Sequence, residues 1–227
     1  MSLGLDQSCV ISIDLGLSNL VIIVNHTGLQ LWCVKGGVVK FINQYYNKQR
    51  ARLFLIKDKQ GLFIQSRRLL RLKLKRDNKI TDFFHKVSRR IINYCIENDF
   101  GCIAIGYNKA WKQGISMGKR TNQSFVLIPF FKLVRQIQYK ATLVGITVII
   151  VGERHTSKVS FLDDEPIKHH KIYAGKRVRR GLFKSSRGHI INADVNAGYN
   201  IGKKPVPEAF AVDGIEGVGL HPYSVTV

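Results

Sequence analysis

Hydrophobic residues in the first 35 positions come in three short runs separated by polar or glycine-containing breaks. Cys9-Val10-Ile11-Ser12-Ile13 runs into Asp14, Asn19 to Val24 is rich in β-branched residues, and Leu29 to Val34 follows the turn signal His26-Thr27-Gly28. Connections this short admit only hairpins, so the runs predict three antiparallel strands. After Gly36-Gly37 the period lengthens. Phe41 to Lys57 reads as a helix. Thr81 to Glu97 reads as a second, with Phe84, Val87, Ile91 and Tyr94/Cys95 on one face. Cys102 to Ile105 has the length and composition of a fourth strand. Pro129 at the favoured first position opens a third helix and Gly145 closes it. Its apolar face is Phe130, Leu133, Val134, Ile137, Ala141 and Val144. Thr147 to Val151 predicts a fifth strand, buried by its composition. A loop-rich region and a short helix from about Asp194 to Lys203 follow, and the tail from Pro205 is expected to wrap the surface.

A hairpin-linked strand trio followed by alternating helices and strands is the order of the RNase H fold. The expected class is therefore α/β and RNase H-like (RuvC). Its sheet should be mixed and five-stranded, three antiparallel strands first, with helices on both faces. Residues 1–204 are expected to form this domain, with a basic insertion about 60–80, and residues 205–227 a C-terminal tail.

Charge narrows the function. The 227 residues carry 36 Lys and Arg against 15 Asp and Glu, a net charge of +21. So one-sided a balance repels itself unless an anionic partner neutralises it, and nucleic acid does so through phosphate contacts and counterion release. A merely basic, ribosomal-type protein is the plain alternative. Within Arg67 to Arg76 stand Arg67, Arg68, Arg71, Lys73, Lys75 and Arg76 with no acid, either a solvated helix face or a phosphate-facing surface. Cys9, Cys33, Cys95 and Cys102 form no C-x-x-C pair and read as small core residues of a reducing compartment. No basic leader precedes the apolar run at Cys9, and no uncharged run is long enough to span a bilayer. The expected location is cytoplasmic, without a membrane partner.

Scarce acids beside apolar strands call for a reason, because a lone carboxylate there is costly. Asp14 ends the first strand, Glu153 follows the fifth, and Asp194 opens the last helix. Phosphodiester hydrolysis needs an activated water and a stabilised leaving oxygen. Two divalent cations roughly 4 Å apart supply both when several carboxylates converge on a rigid scaffold. These three acids are the candidate catalytic and metal-binding residues, with Mg²⁺ expected and Mn²⁺ as a substitute. Each has a plainer role open to it: Asp14 as a turn residue before Gly16, Glu153 as a surface acid, Asp194 as a helix N-cap. Asp14-Leu15-Gly16-Leu17-Ser18-Asn19 also resembles the first phosphate loop of actin-like ATPases. The nearest second loop, Asp213 to Gly217, follows no convincing strand.

Ile13-Asp14-Leu15-Gly16 with Ser18-Asn19-Leu20 resembles the first RuvC motif of the OrfB/TnpB proteins of bacterial insertion sequences, relatives of the compact type V CRISPR effectors. Phe41 to Asn47, Ile105 to Gln113, Thr156 to Asp163, Arg180 to Phe183 and Ile191 to Asn196 continue the resemblance along nearly the whole chain. It implies an RNA-guided, Mg²⁺-dependent DNA nuclease of transposon origin, bacterial and nucleoid-associated, with DNA and a guide RNA as partners and no small-molecule substrate. It implies Asp14 and Asp194 as the first and third catalytic acids. Many relatives carry the middle Glu just after the fourth strand, where this chain has Ile105-Gly106-Tyr107-Asn108. The branch it resembles carries a Glu before Thr-Ser-Lys, which is Glu153. The relatives' zinc ribbon falls at about 156–192, which holds no cysteine, so zinc is not expected. Only 13 residues precede Asp14, so the relatives' N-terminal recognition lobe is expected to be missing. A nuclease-inactive nucleic-acid-binding remnant or repressor is the alternative.

Pro166 to Ala193 contains Lys168, Lys171, Lys176, Arg177, Arg179, Arg180, Lys184 and Arg187 with no acid, a phosphate track beside the carboxylates. The expected nucleic-acid contacts are Lys158, Lys176, Arg177, Arg180 and Arg187, together with Trp111, Lys112, Lys119 and Arg120 in a glycine-containing loop. His155, His169 and His170 read as surface or nucleic-acid-facing residues before metal ligands.

Overall fold

A computed structural model describes residues 3–61, 66–108, 127–211 and 220–227. The strand trio forms as the hydrophobic runs predict: β1 (Val10–Leu15), β2 (Asn19–Asn25) and β3 (Trp32–Lys35) pair antiparallel in sequence order. β4 (Cys102–Gly106) lies parallel to β1 on its other side, and β5 (Thr147–Val151) lies parallel to β4. The expected sheet of five strands has a sixth. β9 (Tyr223–Val225), from the tail expected to wrap the surface, pairs parallel with β3 and gives the order β5-β4-β1-β2-β3-β9. Three residues with a central serine carry no strand signal; the open edge of β3 supplies the pairing.

The helices outgrow their sequence predictions. α1 spans Gly37–Lys59, and α2 spans Arg67–Glu97 with Ser66 capping it through a 3.3 Å bond from Leu69 N–H. The basic stretch predicted as an insertion is thus the exposed first third of α2. α3 spans Phe130–Val144, with Pro129 at the cap rather than in the first turn and Gly145 ending it at φ +83°. α4 spans Ala193–Lys203. No described helix is long and apolar enough to cross a membrane.

Strand alternation sorts the core into two layers. Ile11, Ile13 and Leu15 of β1 and Ile103 and Ile105 of β4 pack with Val39 of α1, Phe84, Val87 and Ile91 of α2, and Leu133 and Ile137 of α3. Val10, Ile22, Val24, Cys102 and Ala104 face the other way, onto Val195, Tyr199 and Ile201 of α4. Helices therefore cover both faces. Gly198 lets α4 lie close on the sheet: a Cβ there would stand 2.5 Å from Val24 Cγ2, and Ser12 Oγ donates to Gly198 O at 2.6 Å. β5 departs from expectation. As the edge strand it leaves Thr147 and Val151 at opposite extremes, and only Val151 is buried. Its apolar composition does not reveal that no described strand pairs beyond it.

The region predicted as loop carries a small antiparallel sheet, β6 (Lys176–Arg179), β7 (Leu182–Lys184) and β8 (Ile190–Asn192), in the order β6-β7-β8. Polar side chains hold the surrounding chain. Glu165 accepts from Ser160 N–H (2.8 Å) and Ala174 N–H (3.0 Å), and Asp163 accepts from Ser160 Oγ, Ser186 Oγ and Ser186 N–H. All four cysteines are free thiols, three of them buried.

Candidate active site at the carboxyl ends of the parallel strands

β1, β4 and β5 run parallel, so their carboxyl ends share one edge of the sheet, where open α/β sheets place ligands. Asp14 is the one position of β1 that is not fully buried, and by alternation it lies on the α4 face with Val10 and Ser12. β4 ends alongside at Gly106, whose partner is Val151 of β5. Glu153 follows two residues on. Asp194 comes from the opposite direction, in the first turn of α4. The cap of that helix is Asn192, whose Oδ1 accepts from Asp194 N–H (2.9 Å) and Val195 N–H (3.2 Å). The N-cap role open to Asp194 is therefore filled by its neighbour, and its carboxylate is left for other work.

The three acids share an electrostatic environment. Burial raises the Asp14 carboxyl well above the usual carboxylate range. Glu153 and then Asp194 push it further, and Arg177 opposes them. Burial also lifts Glu153 to about 8 against the pull of Lys204. The alternative for Glu153, an ordinary surface acid, does not hold: its Oε1 is buried with no hydrogen-bond partner among the described residues. Gly106 makes the room. A Cβ at that position would stand 2.7 Å from Glu153 Oε1 and 2.5 Å from Ile201 Cδ1. Glu153, from the end of β5, thus lies across the position on β4 that has no side chain. Lys204 fastens the chain on either side of it, donating to the carbonyls of Gly152 (2.5 Å) and Arg154 (2.9 Å).

Asp194 is held by Asn19, whose Nδ2 donates to its Oδ2 at 2.8 Å. Lys35 Nζ donates to Asn19 Oδ1 at 2.9 Å. An ammonium can only donate, so it sets the amide's orientation and turns the NH₂ towards the acid. Arg177 Nη2 lies 3.6 Å from the other oxygen, Oδ1. Glu153 and Asp194 are near enough to act on Asp14, yet among the described residues no three His, Cys, Asp or Glu side chains are gathered as a ready metal cluster.

The predicted basic contacts divide. Lys176, Arg177 and Arg180 lie exposed on the small sheet and its turn, with Arg177 beside Asp194 and Arg180 Nη2 donating to Ser18 Oγ at 2.8 Å. Lys158 is exposed on the loop after Glu153. Arg187 turns away, donating to Leu162 O at 2.5 Å and lying 3.8 Å from Asp163. Trp111, Lys112, Lys119 and Arg120 lie outside the described residues, as does Asp213 to Gly217. His155 and His169 meet edge to face at 6.0 Å, and His170 Nε2 lies 2.7 Å from Pro166 O. Asn19, Lys35, Gly106 and Lys204 were not singled out from the sequence as site residues. Asn19 had a signal inside the Ser18-Asn19-Leu20 motif, and Gly106 one as the place of a missing acid.

Comparisons with known proteins agree in kind. The OrfB_IS605 family of probable transposases matches residues 6–112, and the Cas12f1-like TNB domain matches residues 130–201. A TnpB-like protein, ORF457 of Acidianus two-tailed virus, is 27% identical over 209 residues, which cover 87% of this chain and 42% of that protein. Two solved structures share the fold. A Cas12f1–sgRNA–target DNA complex has a TM-score of 0.66 at 17% identity, covering 88% of this chain and 51% of that one. A CRISPR-Cas12f ternary complex has 0.64 at 16%, covering 88% and 40%. The chain spans about half the length of these relatives or less. The first part of the chain is thus similar to the OrfB_IS605 probable transposases, the part carrying Asn192–Asn196 is similar to the Cas12f1-like TNB domain, and the scaffold as a whole has the fold of the Cas12f structures.

Proposed function

We propose that this chain is the RuvC-like core of a transposon-associated, RNA-guided DNA endonuclease, with Asp14, Glu153 and Asp194 as its metal-binding acids. The observation that carries the reading is the electrostatic conflict at Asp14, a largely buried strand-end carboxyl that both other acids push towards protonation. A divalent cation relieves such a conflict, and the donor set suits a hard one: oxygen atoms from three elements, one of them the unpartnered Oε1 of Glu153. The strand order, with three antiparallel strands and two parallel ones beside β1, supports the RNase H-like reading. When bound, Mg²⁺ supplies an activated water and stabilises the leaving oxygen, so no protein general base is needed. The chain's own contribution is to hold the acids. Asn19 and Lys35 orient Asp194, Lys204 anchors the segment bearing Glu153, and burial keeps Asp14 and Glu153 reluctant to ionise until a cation enters. The exposed Lys158, Lys176, Arg177 and Arg180 are the proposed contacts to a phosphate backbone, with Arg177 beside Asp194 and Arg180 bonded to Ser18 supporting the reading. In the Cas12f relatives the partners are a guide RNA and target DNA, and the same partners are proposed here.

The test is cleavage of single- and double-stranded DNA by the purified protein, with and without co-purifying RNA. Cleavage should need Mg²⁺, stop with EDTA and stop with Asp14→Ala; cleavage surviving Asp14→Ala removes the reading. One observation favours a second reading, a nucleic-acid-binding module that does not cut: the acids stand open rather than as a ready cluster. It predicts salt-sensitive binding with no Mg²⁺-dependent product.

A further inference from the structure

The small sheet does more than border the acids. Arg177, at the bulged pairing of β6 with β7, sends its guanidinium to within 3.6 Å of Asp194 Oδ1. Among the described residues it is the cation in ion-pair range of a site carboxylate. The other cations near the opening have other partners: Lys35 bonds Asn19, Arg180 bonds Ser18, and Lys204 bonds the carbonyls beside Glu153. Arg177 also acts on Asp14 against the two acids. It is thus the positive charge acting on Asp14 and Asp194, as Lys204 is on Glu153.

That pairing is loose. The Arg177 side chain is 51% exposed, and 3.6 Å is a charge contact rather than a hydrogen bond. A phosphate diester offers the planar guanidinium two non-bridging oxygens for a bidentate contact, stronger than one distant carboxylate oxygen. Arg177 therefore faces two anions that compete for it, Asp194 inside the opening and a nucleic-acid phosphate outside.

Resting on the proposed metal role of Asp14 and Asp194, we propose that Arg177 is a resident counter-ion that a nucleic-acid phosphate draws off Asp194, so that nucleic-acid binding favours entry of the divalent cation. No bond is made or broken; one cation replaces another beside the carboxylate. By linkage, the cation then tightens nucleic-acid binding by the same factor.

The experiment is Mn²⁺ binding to the whole protein, followed by electron paramagnetic resonance, with the site contribution defined as the part lost in Asp14→Asn. Arg177→Gln should tighten that binding about two- to fivefold without nucleic acid, the scale of one partly exposed ion pair. Arg179→Gln removes the same charge from the same strand without touching an acid, and should leave it unchanged. Single-stranded phosphorothioate DNA should tighten the wild-type site and have a smaller effect on Arg177→Gln. If Arg177→Gln matches wild type, or Arg179→Gln shifts the affinity as much, the counter-ion role is overturned while the metal site stands. If no protein shows Asp14-dependent Mn²⁺ binding, the metal reading and the inference fall together.

Discussion

At Gly106 one absent methyl group decides where a carboxylate can lie. The resemblance implies that many relatives carry an acid just after the fourth strand; here Gly106 ends that strand, and Glu153 from the neighbouring strand lies against it. Gly106→Ala would set a Cβ 2.7 Å from Glu153 Oε1 and 2.5 Å from Ile201 Cδ1. If Glu153 is a metal ligand, that variant should lose about a hundredfold in Mg²⁺-dependent cleavage, the scale expected for an ångström's misplacement. Adding Ile201→Val should recover melting temperature but not activity; recovery of both would make Gly106 a packing residue only. A second residue-scale prediction concerns pH. Glu153 folded titrates at about 8 against a reference of 4.5. The folded state therefore binds the proton more tightly than the unfolded one, and stability present below 4.5 is lost as pH rises through about 8. Glu153→Gln should melt higher than wild type at pH 9 in EDTA and show little difference near pH 4. Identical melting curves across that range would sink the assignment. The Asp14 and Asp194 positions were legible in the sequence because each stood beside an apolar run or in a family motif. Gly106 was legible only as a missing acid, since a glycine's role depends on what occupies the space above it.

The elements around the site are joined by polar side chains at named points of the family motifs. Asn196 Oδ1 accepts from Phe161 N–H at 2.9 Å and its Nδ2 donates to Val159 O at 2.8 Å, while Asn200 Nδ2 donates to Thr156 O and Val159 O. These bonds tie the 156–165 segment to α4, which carries Asp194. Phe161 stacks on Tyr199 at 4.5 Å in the same contact. Asn196→Ala would leave a buried N–H unpartnered and should cost about 1–3 kcal/mol. Amide hydrogen exchange should quicken over residues 156–165 before it quickens in β1 or β4; uniform exchange would show that the segment is held otherwise. The sequence reads this region as loop because none of its strands exceeds four residues. Short strands carry too little alternation to register, and the polar bonds that hold them have no periodicity.

Over the whole molecule, charge is the property most certain from composition and least certain in placement. The net +21 predicts nucleic-acid binding that weakens steeply with salt. A reading with four phosphate contacts at Lys158, Lys176, Arg177 and Arg180 predicts a slope of log affinity on log salt of about −3 to −4. Replacing all four with Gln should flatten that slope towards zero. A slope unchanged by the quadruple variant would assign the contacts elsewhere, with the exposed first third of α2 the next candidate.

The amino-acid sequence by itself determined the strand trio, the helical layers and the basic character, and it singled out the three candidate acids. These follow from local periodicity, composition and contiguous motifs, which need no partner elsewhere in the chain. Only the tertiary structure decided that β5 is an edge among the described strands, that a three-residue piece of the tail makes a sixth strand, and that Glu153 and Ile201 both lie against Gly106. It also decided that Arg177 stands against Asp194. Each of these joins residues distant in sequence, and a contact of that kind leaves no periodic trace in either partner.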